Sequence, residues 1–533
     1  MTAIEALLGR AFQRHQEGSL AEAESLYRQV IQTEPWHPEA WCFLGVLQVQ
    51  QGRLEDAAAS LQEAIRLRPQ FAEAHCNLGT VFLHQRKLDR AVACYQEALR
   101  IQPALPDAHS NLGKAYCELH RYREAEISCR RAVELAPHHA DALLNLGNAL
   151  ECQGKLEEAV ACCEQAVRYQ PHLPEAYVNL GVARSAQGRP QEAVACFDEA
   201  LRLRPGFPDA HWGRSLAWLL AGDFERGWPE YESRWQCKPF PQRTFAQPAW
   251  DGSPLDGKRI LVYAEQGLGD TFQFVRYLPL VKRQGGRVIF ACHERLVPLL
   301  RSCEGIDQFT TERDATPPLD VHVALLSLPM IFRTTLATVP AKVPYLSAEA
   351  GLIEQWRREV MALPGFKVGI AWQGDPGYAL DNLRSIALPH FEPLARVPGV
   401  SLVSLQKGPG AQQVAELNDK FPLTDWSSRL DVAPGAFMDT AAVMRSLDLV
   451  ICSDSAVAHL AGALGVPVWL ALPYSPDFRW MLHREDSPWY PTMRLFRQTS
   501  PCDWKYVFER MARELSKGAL SRGSVPILTP KSR

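Results

Sequence analysis

The sequence has no apolar run long enough to cross a bilayer, and this absence argues against one class of protein. A membrane-spanning helix needs roughly 18 or more consecutive apolar residues, and no run in the 533 residues approaches that length. The amino-terminal stretch MTAIEALLGRAFQRHQEGS is amphipathic and lacks the apolar core of a signal peptide. Neither export nor membrane insertion is expected.

Charge and cysteine give no sign of an unusual partner either. The formal net charge of −3 offers no reason to expect nucleic acid or an anionic membrane surface. The 14 cysteines are scattered, no C-x-x-C pair occurs, and no Cys/His spacing matches a zinc site. We therefore expect reduced thiols in a cytoplasmic protein that uses no metal and no cofactor.

A fixed interval of 34 residues runs through the first half of the chain. Prolines mark it at Pro35, Pro69, Pro103, Pro137, Pro171 and Pro205. Asn-Leu-Gly recurs in the same register, at 77–79, 111–113, 145–147 and 179–181. Two rows of alanine share the interval: Ala57, Ala91, Ala125, Ala159 and Ala193, and then Ala64, Ala98, Ala132, Ala166 and Ala200.

This pattern resembles the tetratricopeptide repeat, whose unit is two antiparallel helices. Glycine and alanine permit close helix contact, and proline ends the second helix because it lacks an amide donor. Residues 1–235 are therefore predicted to form an all-α solenoid of about six to seven stacked repeats. The last repeat is degenerate, with Ser215 and Gly227 replacing the usual Gly and Ala. We expect it to cap the solenoid by packing against the next domain.

One asparagine occupies the same position in four successive repeats, namely Asn77, Asn111, Asn145 and Asn179. An amide offers both a donor and an acceptor, so a ladder of asparagines could hold an extended peptide backbone of a protein partner. The same ladder is a feature of the O-linked N-acetylglucosamine transferases, which this half of the chain resembles. The alternative is repeat consensus, in which each asparagine bonds the neighbouring helix.

The composition changes over residues 236–257, which are rich in Pro, Gly and polar residues and form a predicted linker. Beyond it, strand-like apolar runs alternate with helical stretches, the pattern of an α/β protein with a parallel sheet. We expect a first lobe over 258–347 and a connecting helix with a second lobe over 348–517. Residues 518–533 are expected to be a disordered tail.

The segment LDLVICSDSAVAHLAGALGVPVW is the strongest motif of the second half. It reads as a buried strand, a turn at 453–455 and a helix of small residues. Free backbone amides at such a turn favour an anion, and the hydroxyl of Ser455 adds a donor suited to the diphosphate of a nucleotide sugar. His459 lies one turn into the helix and could reach the same anion. An ordinary strand–helix unit with Asp454 or Ser455 as its N-cap is the alternative.

Two motifs, GLGD in the first lobe and SDSAVAHLAGAL in the second, resemble glycosyltransferase family 9, the lipopolysaccharide heptosyltransferases. The resemblance covers about 258–516. It implies a GT-B fold of two Rossmann-like lobes, inversion at the sugar and no metal. It also implies a catalytic Asp at Asp270 and nucleotide-sugar contacts at Asp454, Ser455, Ala456, Val457 and His459.

The stretch AEQGLGDTFQF raises a question of its own. Gly267 and Gly269 could cradle a phosphate, but the carboxylate of Asp270 would repel it. In the fold that the resemblance implies, the first lobe faces the acceptor. The two glycines would then form an acceptor loop, and Asp270 would take the acceptor's proton. Capping of its own helix is the alternative role of Asp270.

Three further segments of the second lobe carry candidate nucleotide-sugar contacts. Arg384 could offset the charge of the leaving diphosphate, although the heptosyltransferases usually carry a lysine near this place. Gln373 and Gly374 could line the cleft. Lys407 and Gln412 could contact the nucleotide or lie in a solvated loop. Donor-side contacts at Asp477, Arg479 and Trp480 compete with a packed loop.

Two functions remain open on the sequence alone. One is a glycosyltransferase that moves a sugar from a nucleotide-diphosphate sugar to a hydroxyl of a protein or saccharide, with the solenoid docking a protein. The other is a non-catalytic scaffold with a degenerate transferase domain. The donor sugar, the nucleotide base, the acceptor and the oligomeric state do not follow from the residues.

Overall fold

The computed structural model describes residues 3–237, 243–311, 313–314, 318–417, 420–432 and 435–520. The chain divides into two compact units, Met1–Ala183 and Arg184–Arg533. Among the described residues, no helix combines the length and apolar character that crossing a bilayer requires. None of the 14 cysteines, all of which lie in the described part, forms a disulfide.

In residues 3–237 the structure describes fourteen α-helices, which form seven consecutive pairs. Their bounds are α1 (Ala3–Gln16), α2 (Leu20–Thr33), α3 (Pro38–Gln50), α4 (Leu54–Leu67), α5 (Ala72–His84), α6 (Leu88–Ile101), α7 (Pro106–Glu118), α8 (Tyr122–Leu135), α9 (Ala140–Glu151), α10 (Leu156–Tyr169), α11 (Pro174–Ala186), α12 (Pro190–Leu203), α13 (Pro208–Leu220) and α14 (Phe224–Tyr231). The predicted all-α repeat region is confirmed.

The small residues of the repeats fill the closest helix contacts. A Cβ added at Gly45, Gly79, Gly113 or Gly147 would lie within 3.0 Å of a side chain on the second helix of the same pair. All ten alanines of the two predicted rows have 0% of their surface exposed. Larger side chains at these positions would separate the helices.

Ring side chains on the first helix of a pair also recur at the repeat interval, and they contact the carbonyls of the periodic prolines. Trp41, His75, His109, Tyr177 and His211 each place a ring nitrogen or hydroxyl 2.8–3.2 Å from the carbonyl of the proline six residues earlier. That carbonyl follows the end of the preceding helix, where backbone acceptors have no helical partner. The rings therefore fix the turn between successive pairs.

The second unit contains two parallel sheets, the first of which follows the repeats. Its elements are β1 (Arg259–Tyr263), α15 (Leu268–Phe274), α16 (Leu278–Lys282), β2 (Arg287–Ala291), α17 (Val297–Leu300), β3 (Gln308–Thr310), β4 (Val321–Ala324), α18 (Leu328–Ile331) and α19 (Ala350–Ala362). The strand order is β3-β2-β1-β4, and every pair is parallel. Residues 238–242 of the predicted linker lie outside the described residues.

The second sheet is larger. Its elements are β5 (Phe366–Ala371), α20 (Asp381–Arg384), α21 (Glu392–Ala395), β6 (Val400–Ser404), α22 (Gln413–Glu416), β7 (Thr424–Asp425), α23 (Met438–Met444), β8 (Leu449–Ser453), α24 (Ala456–Ala463), β9 (Val468–Leu472), β10 (Met493–Arg497) and α25 (Trp504–Leu520). The order β7-β6-β5-β8-β9-β10 is the 3-2-1-4-5-6 order of doubly wound sheets. Helix α25 continues past the predicted start of the tail, and residues 521–533 lie outside the described residues.

Strand residues of the second sheet alternate between two apolar layers, as the period of two requires. On β8, Leu449 and Ile451 join the layer that includes Phe508 of α25. Their neighbours Val450 and Cys452 face the opposite layer. This second layer is continuous with the core of the first sheet and with Trp228 of α14. The predicted packing of the last repeat against the α/β region is therefore confirmed.

Candidate functional site

The predicted motifs lie where ligands bind in doubly wound sheets. That place is the carboxyl end of the two central strands at which the strand order reverses. In the second sheet these strands are β5 and β8, and the residues that follow them are Trp372 to Gly374 and Asp454 to Ser455. In the first sheet they are β1 and β4, and the turn to Gly267 follows β1.

The two strongest motifs contact one another. A Cβ added to Gly269 would lie 2.9 Å from Cδ2 of His459 and 3.4 Å from Cα of Ala456. The start of α15 therefore packs directly on the start of α24, and only glycine fits at position 269. Gly267 has ordinary backbone angles, with φ −81°, and forms the N-cap of α15.

Asp270 uses both carboxylate oxygens within the protein. Oδ2 accepts the backbone N–H of Gly267 at 2.8 Å, which is the helix-capping arrangement. Oδ1 accepts a hydrogen bond from the guanidinium of Arg479, and the two groups form an ion pair. Asp270 thus caps its own helix and faces the second lobe at the same time.

Arg479 is the centre of this contact. Its Nη1 donates to Oδ1 of Asp477 at 2.8 Å, and its Nε donates to Oε1 of Gln273 at 2.8 Å. Burial of the guanidinium acts to lower its pKa, but the charges of Asp477 and Asp270 raise the pKa overall. The sequence suggested Arg479 as a donor-side contact, whereas the structure makes it the partner of Asp270. Nothing in the sequence selects Arg479, among 57 basic residues, as the partner of Asp270.

A second buried arginine, Arg276, was not predicted and also joins the two lobes. Its Nη1 donates to the carbonyl of Trp489 at 2.5 Å, and its Nε donates to the carbonyl of Gln273 at 2.7 Å. Its Nη2 donates to the hydroxyl of Tyr345 at 2.7 Å. Carbonyl acceptors carry no charge, so Arg276 remains a net positive group beside the site.

Burial and mutual repulsion set the protonation of the acidic residues. Burial raises the pKa of Asp270, and the opposing charge of Arg479 is the largest effect that lowers it. Burial and then the charge of Asp477 raise the pKa of Asp454 to about 6, while Arg384 and Arg479 act in the other direction. Both carboxyl groups therefore hold a proton more readily than an exposed aspartate does.

His459 is neutral in this environment. Burial lowers its pKa well below the ordinary value, and the positive charges of Arg479, Arg276 and Arg384 lower it further. Its Nδ1 lies 2.9 Å from the hydroxyl of Tyr490, and its ring stacks on Trp480 at 5.2 Å. His459 can therefore offer an N–H to an anion but not a full positive charge.

Among the described residues, polar atoms at the end of β8, at the start of α24 and on α15 have no protein partner. Within the described part of the chain, the hydroxyls of Ser453 and Ser455 and the amide nitrogen of Gln273 are buried and unpaired. Ser455 occupies the N-cap position of α24 without capping it through its side chain. Buried donors of this kind ordinarily bond water or a ligand. Ala456 and Val457, which begin the helix, are half-buried.

Arg384 belongs to the same constellation through its charge. Its Nε donates to Oδ1 of Asp381 at 3.0 Å, and the guanidinium lies 4.4 Å from the ring centre of Tyr378. Arg384 lowers the pKa of Asp454. The guanidinium also leaves little space beside Gly374, since an added Cβ there would lie 2.9 Å from Nη2 of Arg384.

The remaining predicted contacts of the second lobe lie apart from this constellation. Lys407 donates to the carbonyl of Leu430, and Gln412 is exposed at the start of α22. Gln373 faces the same loop, where its Oε1 lies 3.4 Å from Nε2 of Gln413. The structure therefore places Lys407 and Gln412 in the loop arrangement that was the alternative to nucleotide contact.

Two of the four predicted asparagines, Asn77 and Asn145, bond the preceding repeat. Nδ2 of Asn145 donates to the hydroxyl of Ser110 at 3.0 Å, and Nδ2 of Asn77 lies 3.6 Å from the sulfur of Cys42. All four predicted asparagines are only half-buried. These two contacts agree with the alternative in which the asparagine bonds a neighbouring helix. Part of each of the four asparagine side chains remains exposed.

Family models described as tetratricopeptide repeat match the first part of the chain. One matches residues 7–70, 44–106 and 178–243. The other matches residues 104–171 and 139–206. Residues 7–243 therefore carry tetratricopeptide repeats, in agreement with the seven helix pairs described above.

The alignment with one curated protein is longer than the repeat region. The chain is 29% identical over 330 residues to Protein FlbA of Caulobacter vibrioides, which covers 58% of this chain and 55% of FlbA. The chain thus spans about half the length of this curated relative.

Two of the solved structures with similar folds are tetratricopeptide-repeat proteins. One from Parabacteroides merdae is 18% identical and has a TM-score of 0.37, with 44% of this chain and 93% of that chain covered. One from Thermus thermophilus is 23% identical and has a TM-score of 0.32, with 34% and 100% covered.

Proposed function

We propose that the chain is a glycosyltransferase in which two α/β lobes of the GT-B type meet around the pair Asp270 and Arg479. The substrate would be a nucleotide-diphosphate sugar, and the acceptor would be a hydroxyl of a protein or a saccharide. The single observation that carries the proposal is the direct contact between the GLGD turn and the SDSAVAH turn. Each turn follows a central strand of its parallel sheet, where such sheets bind ligands.

The donor side of the proposal is supported by the unpaired donors beside α24. A diphosphate at this turn would accept hydrogen bonds from the hydroxyl of Ser455 and from backbone amides at the helix start. Arg384 would offset the negative charge that develops on the departing diphosphate. Asp454 lies in the same electrostatic neighbourhood, and its pKa of about 6 means that repulsion of an anion falls as the pH drops below that value.

On the acceptor side, Asp270 would act as the general base. The acceptor oxygen attacks the anomeric carbon, its proton passes to the carboxylate, and the diphosphate leaves with the bonding electron pair. A carboxylate with a raised pKa is a stronger base than an exposed one. Arg479 keeps the group ionised before the reaction and would release one oxygen as substrate enters.

The repeats would bring a protein to the site. Tetratricopeptide solenoids stack helix pairs into extended binding surfaces, and the half-buried asparagines leave polar groups for a peptide backbone. The acceptor would be that protein, or a saccharide that the protein carries.

A thermal-shift screen with UDP, GDP and ADP tests the donor site. Binding to the folded state alone raises stability by about 2.7 kcal/mol at a ligand concentration of 100 times Kd. We expect one nucleotide to raise Tm in wild type and in Ser516→Ala, and to raise it much less in Ser455→Ala. Equal shifts in both variants would remove the proposed site.

Donor hydrolysis tests the chemistry. Asp270→Asn should lose activity toward sugar nucleotides that contain the base identified in the thermal-shift screen. Asp425→Asn is the control and should keep this activity, because the exposed carboxylate of Asp425 bonds Ser427 in its own turn. Identical rates in wild type and Asp270→Asn would contradict catalysis by this residue.

A non-catalytic scaffold is the second candidate, and one observation favours it. Both oxygens of Asp270 already have partners inside the protein, as in a purely structural carboxylate. A scaffold would show no shift with any nucleotide and would still bind its partner through the repeats.

A further inference from the structure

We propose that the last repeat is a working part of the α/β site rather than a separate docking element. Tyr231, at the end of α14, and Arg234, in the 3₁₀ turn Glu232–Gln236 that follows, are positioning residues for the turn that carries Asp270. The proposal rests on the proposed function for the reaction that this positioning serves. The positioning itself can be measured without any substrate.

Arg234 anchors the first residue of that turn. Its guanidinium is fully buried and grips Glu265 with two hydrogen bonds, Nε to Oε2 at 3.0 Å and Nη2 to Oε1 at 2.7 Å. Its Nη1 donates to Glu232 at 2.6 Å, and Nη2 also donates to the hydroxyl of Ser327 at 2.9 Å. The same Glu265 accepts the backbone N–H of Leu326 at 3.2 Å. One carboxylate therefore joins the ends of β1 and β4 to the last repeat.

The energetics of this pair favour a role in orientation. Burying a guanidinium and a carboxylate has a large desolvation cost, and an apolar pair of similar volume often stabilises a fold equally well. An apolar pair could not fix the direction of the backbone at Glu265, whereas a two-pronged ion pair does.

Tyr231 holds the next residue. Its hydroxyl accepts a hydrogen bond from Nε2 of Gln266 at 3.1 Å. Gln266 has φ 60°, the left-handed region that few residues other than glycine adopt readily. Its successor Gly267 donates its N–H to Asp270 at 2.8 Å. The two residues before this N–H are therefore both held by side chains of the last repeat.

Helix α14, which ends at Tyr231, also supports the segment that carries Arg479. The ring of Trp228 meets Phe274 edge to face at 6.1 Å and Phe478 at 5.9 Å. Phe274 ends α15, whose first turn contains Asp270, and Phe478 directly precedes Arg479. A displacement of α14 would therefore move both members of the ion pair.

Hydrogen exchange of the full chain tests the positioning. Tyr231→Phe keeps the ring and removes one hydrogen bond, and Arg234→Lys keeps the charge and removes the two-pronged geometry. We expect amide exchange in a peptide covering 263–275 to become about 3- to 10-fold faster in both variants, the effect of losing roughly one hydrogen bond. Strands β5 and β8 should exchange as in wild type.

Matched controls are Tyr506→Phe and Arg66→Lys, which change the same chemical groups at exposed positions; Arg66 makes a two-pronged pair with Glu63. Unchanged exchange at 263–275 in Tyr231→Phe would overturn the proposal, even if Arg234→Lys failed to fold. Faster exchange throughout the second unit would also overturn it, because the role would then be general stability.

Turnover measurements distinguish a positioning role of Tyr231 from a purely structural role. With UDP-glucose, UDP-N-acetylglucosamine, GDP-mannose and ADP-glucose as probes, Tyr231→Phe should lower kcat for the hydrolysed donor and leave its KM unchanged. In an Asp270→Asn background the same change should not lower the residual turnover further, since Tyr231 acts through Asp270. Additive losses would contradict the positioning role. If wild type hydrolyses none of the probes, the proposed function fails while the exchange result still decides the positioning.

Discussion

Arg479 donates to the carboxylate of Asp270 although 209 positions of the chain separate them. The pair joins the turn after β1 to the segment between β9 and β10. Because both side chains are largely buried, losing Arg479 would leave the carboxylate of Asp270 buried without its counter-charge. This dependence can be measured.

Arg479→Gln should destabilise the second unit by about 3 kcal/mol, because it leaves Asp270 buried without its counter-charge. Asp270→Asn should restore part of that loss when it is added to Arg479→Gln, since no uncompensated carboxylate then remains. Urea unfolding of the four proteins of this double-mutant cycle gives the coupling. Simple additivity of the two single changes would show that the ion pair contributes nothing to stability.

Gly269→Ala should destabilise the fold by about 1–3 kcal/mol, because the new methyl group would meet the ring of His459 at 2.9 Å. Gly351→Ala is the matched control, since no atom lies within 4 Å of the added Cβ in α19. Alanine there should stabilise the helix by about 0.5–1 kcal/mol. Opposite shifts of Tm are expected, and shifts of the same sign would argue against a tight contact between α15 and α24.

His109→Ala should cost about 1 kcal/mol, because the carbonyl of Pro103 loses its ring donor. His109→Tyr should retain most of the stability, since Tyr177 makes the same contact with Pro171. Thermal unfolding of the two variants shows whether a different ring that carries a donor can replace the imidazole. Equal losses in both would assign the effect to the imidazole itself.

Asp454 should make the folded state less stable as pH rises. Its pKa is raised to about 6, above the unfolded value, so the folded state binds the extra proton between about pH 4 and pH 6. The stability that this proton contributes is present below that window and is lost above it. Asp454→Asn should therefore gain stability relative to wild type as pH passes from 4 to 7. A difference independent of pH would contradict the shift.

The sequence predicted most of the architecture and part of the site. A period of 34 residues identifies helix pairs because each pair needs the same small residues at its contacts, such as Gly79 and Ala91. The strands were predicted because buried parallel strands are continuous apolar runs. The resemblance implied that the two motifs belong to one site, but the direct contact of Gly269 with the segment at Ala456 was not predicted.

The partners of the site residues could not be predicted. Ion pairs such as Arg479 with Asp270 depend on the three-dimensional approach of distant segments, which no local spacing encodes. Lys407 was a plausible nucleotide contact by its position after β6, but its long side chain reaches the carbonyl of Leu430 instead. The ring row through His75 and His109 is visible in the sequence, but its bond to the proline carbonyl is not.

The position of Trp228 in the core has a practical consequence for anyone who wishes to divide the chain. A fragment that starts at Lys258, as the change in composition suggests, would leave Phe274, Phe478 and Trp489 without the ring that covers them. Such a fragment should aggregate. One that starts at Arg184 keeps the whole compact unit and should remain monodisperse in size-exclusion chromatography, so the useful cut lies inside the repeats.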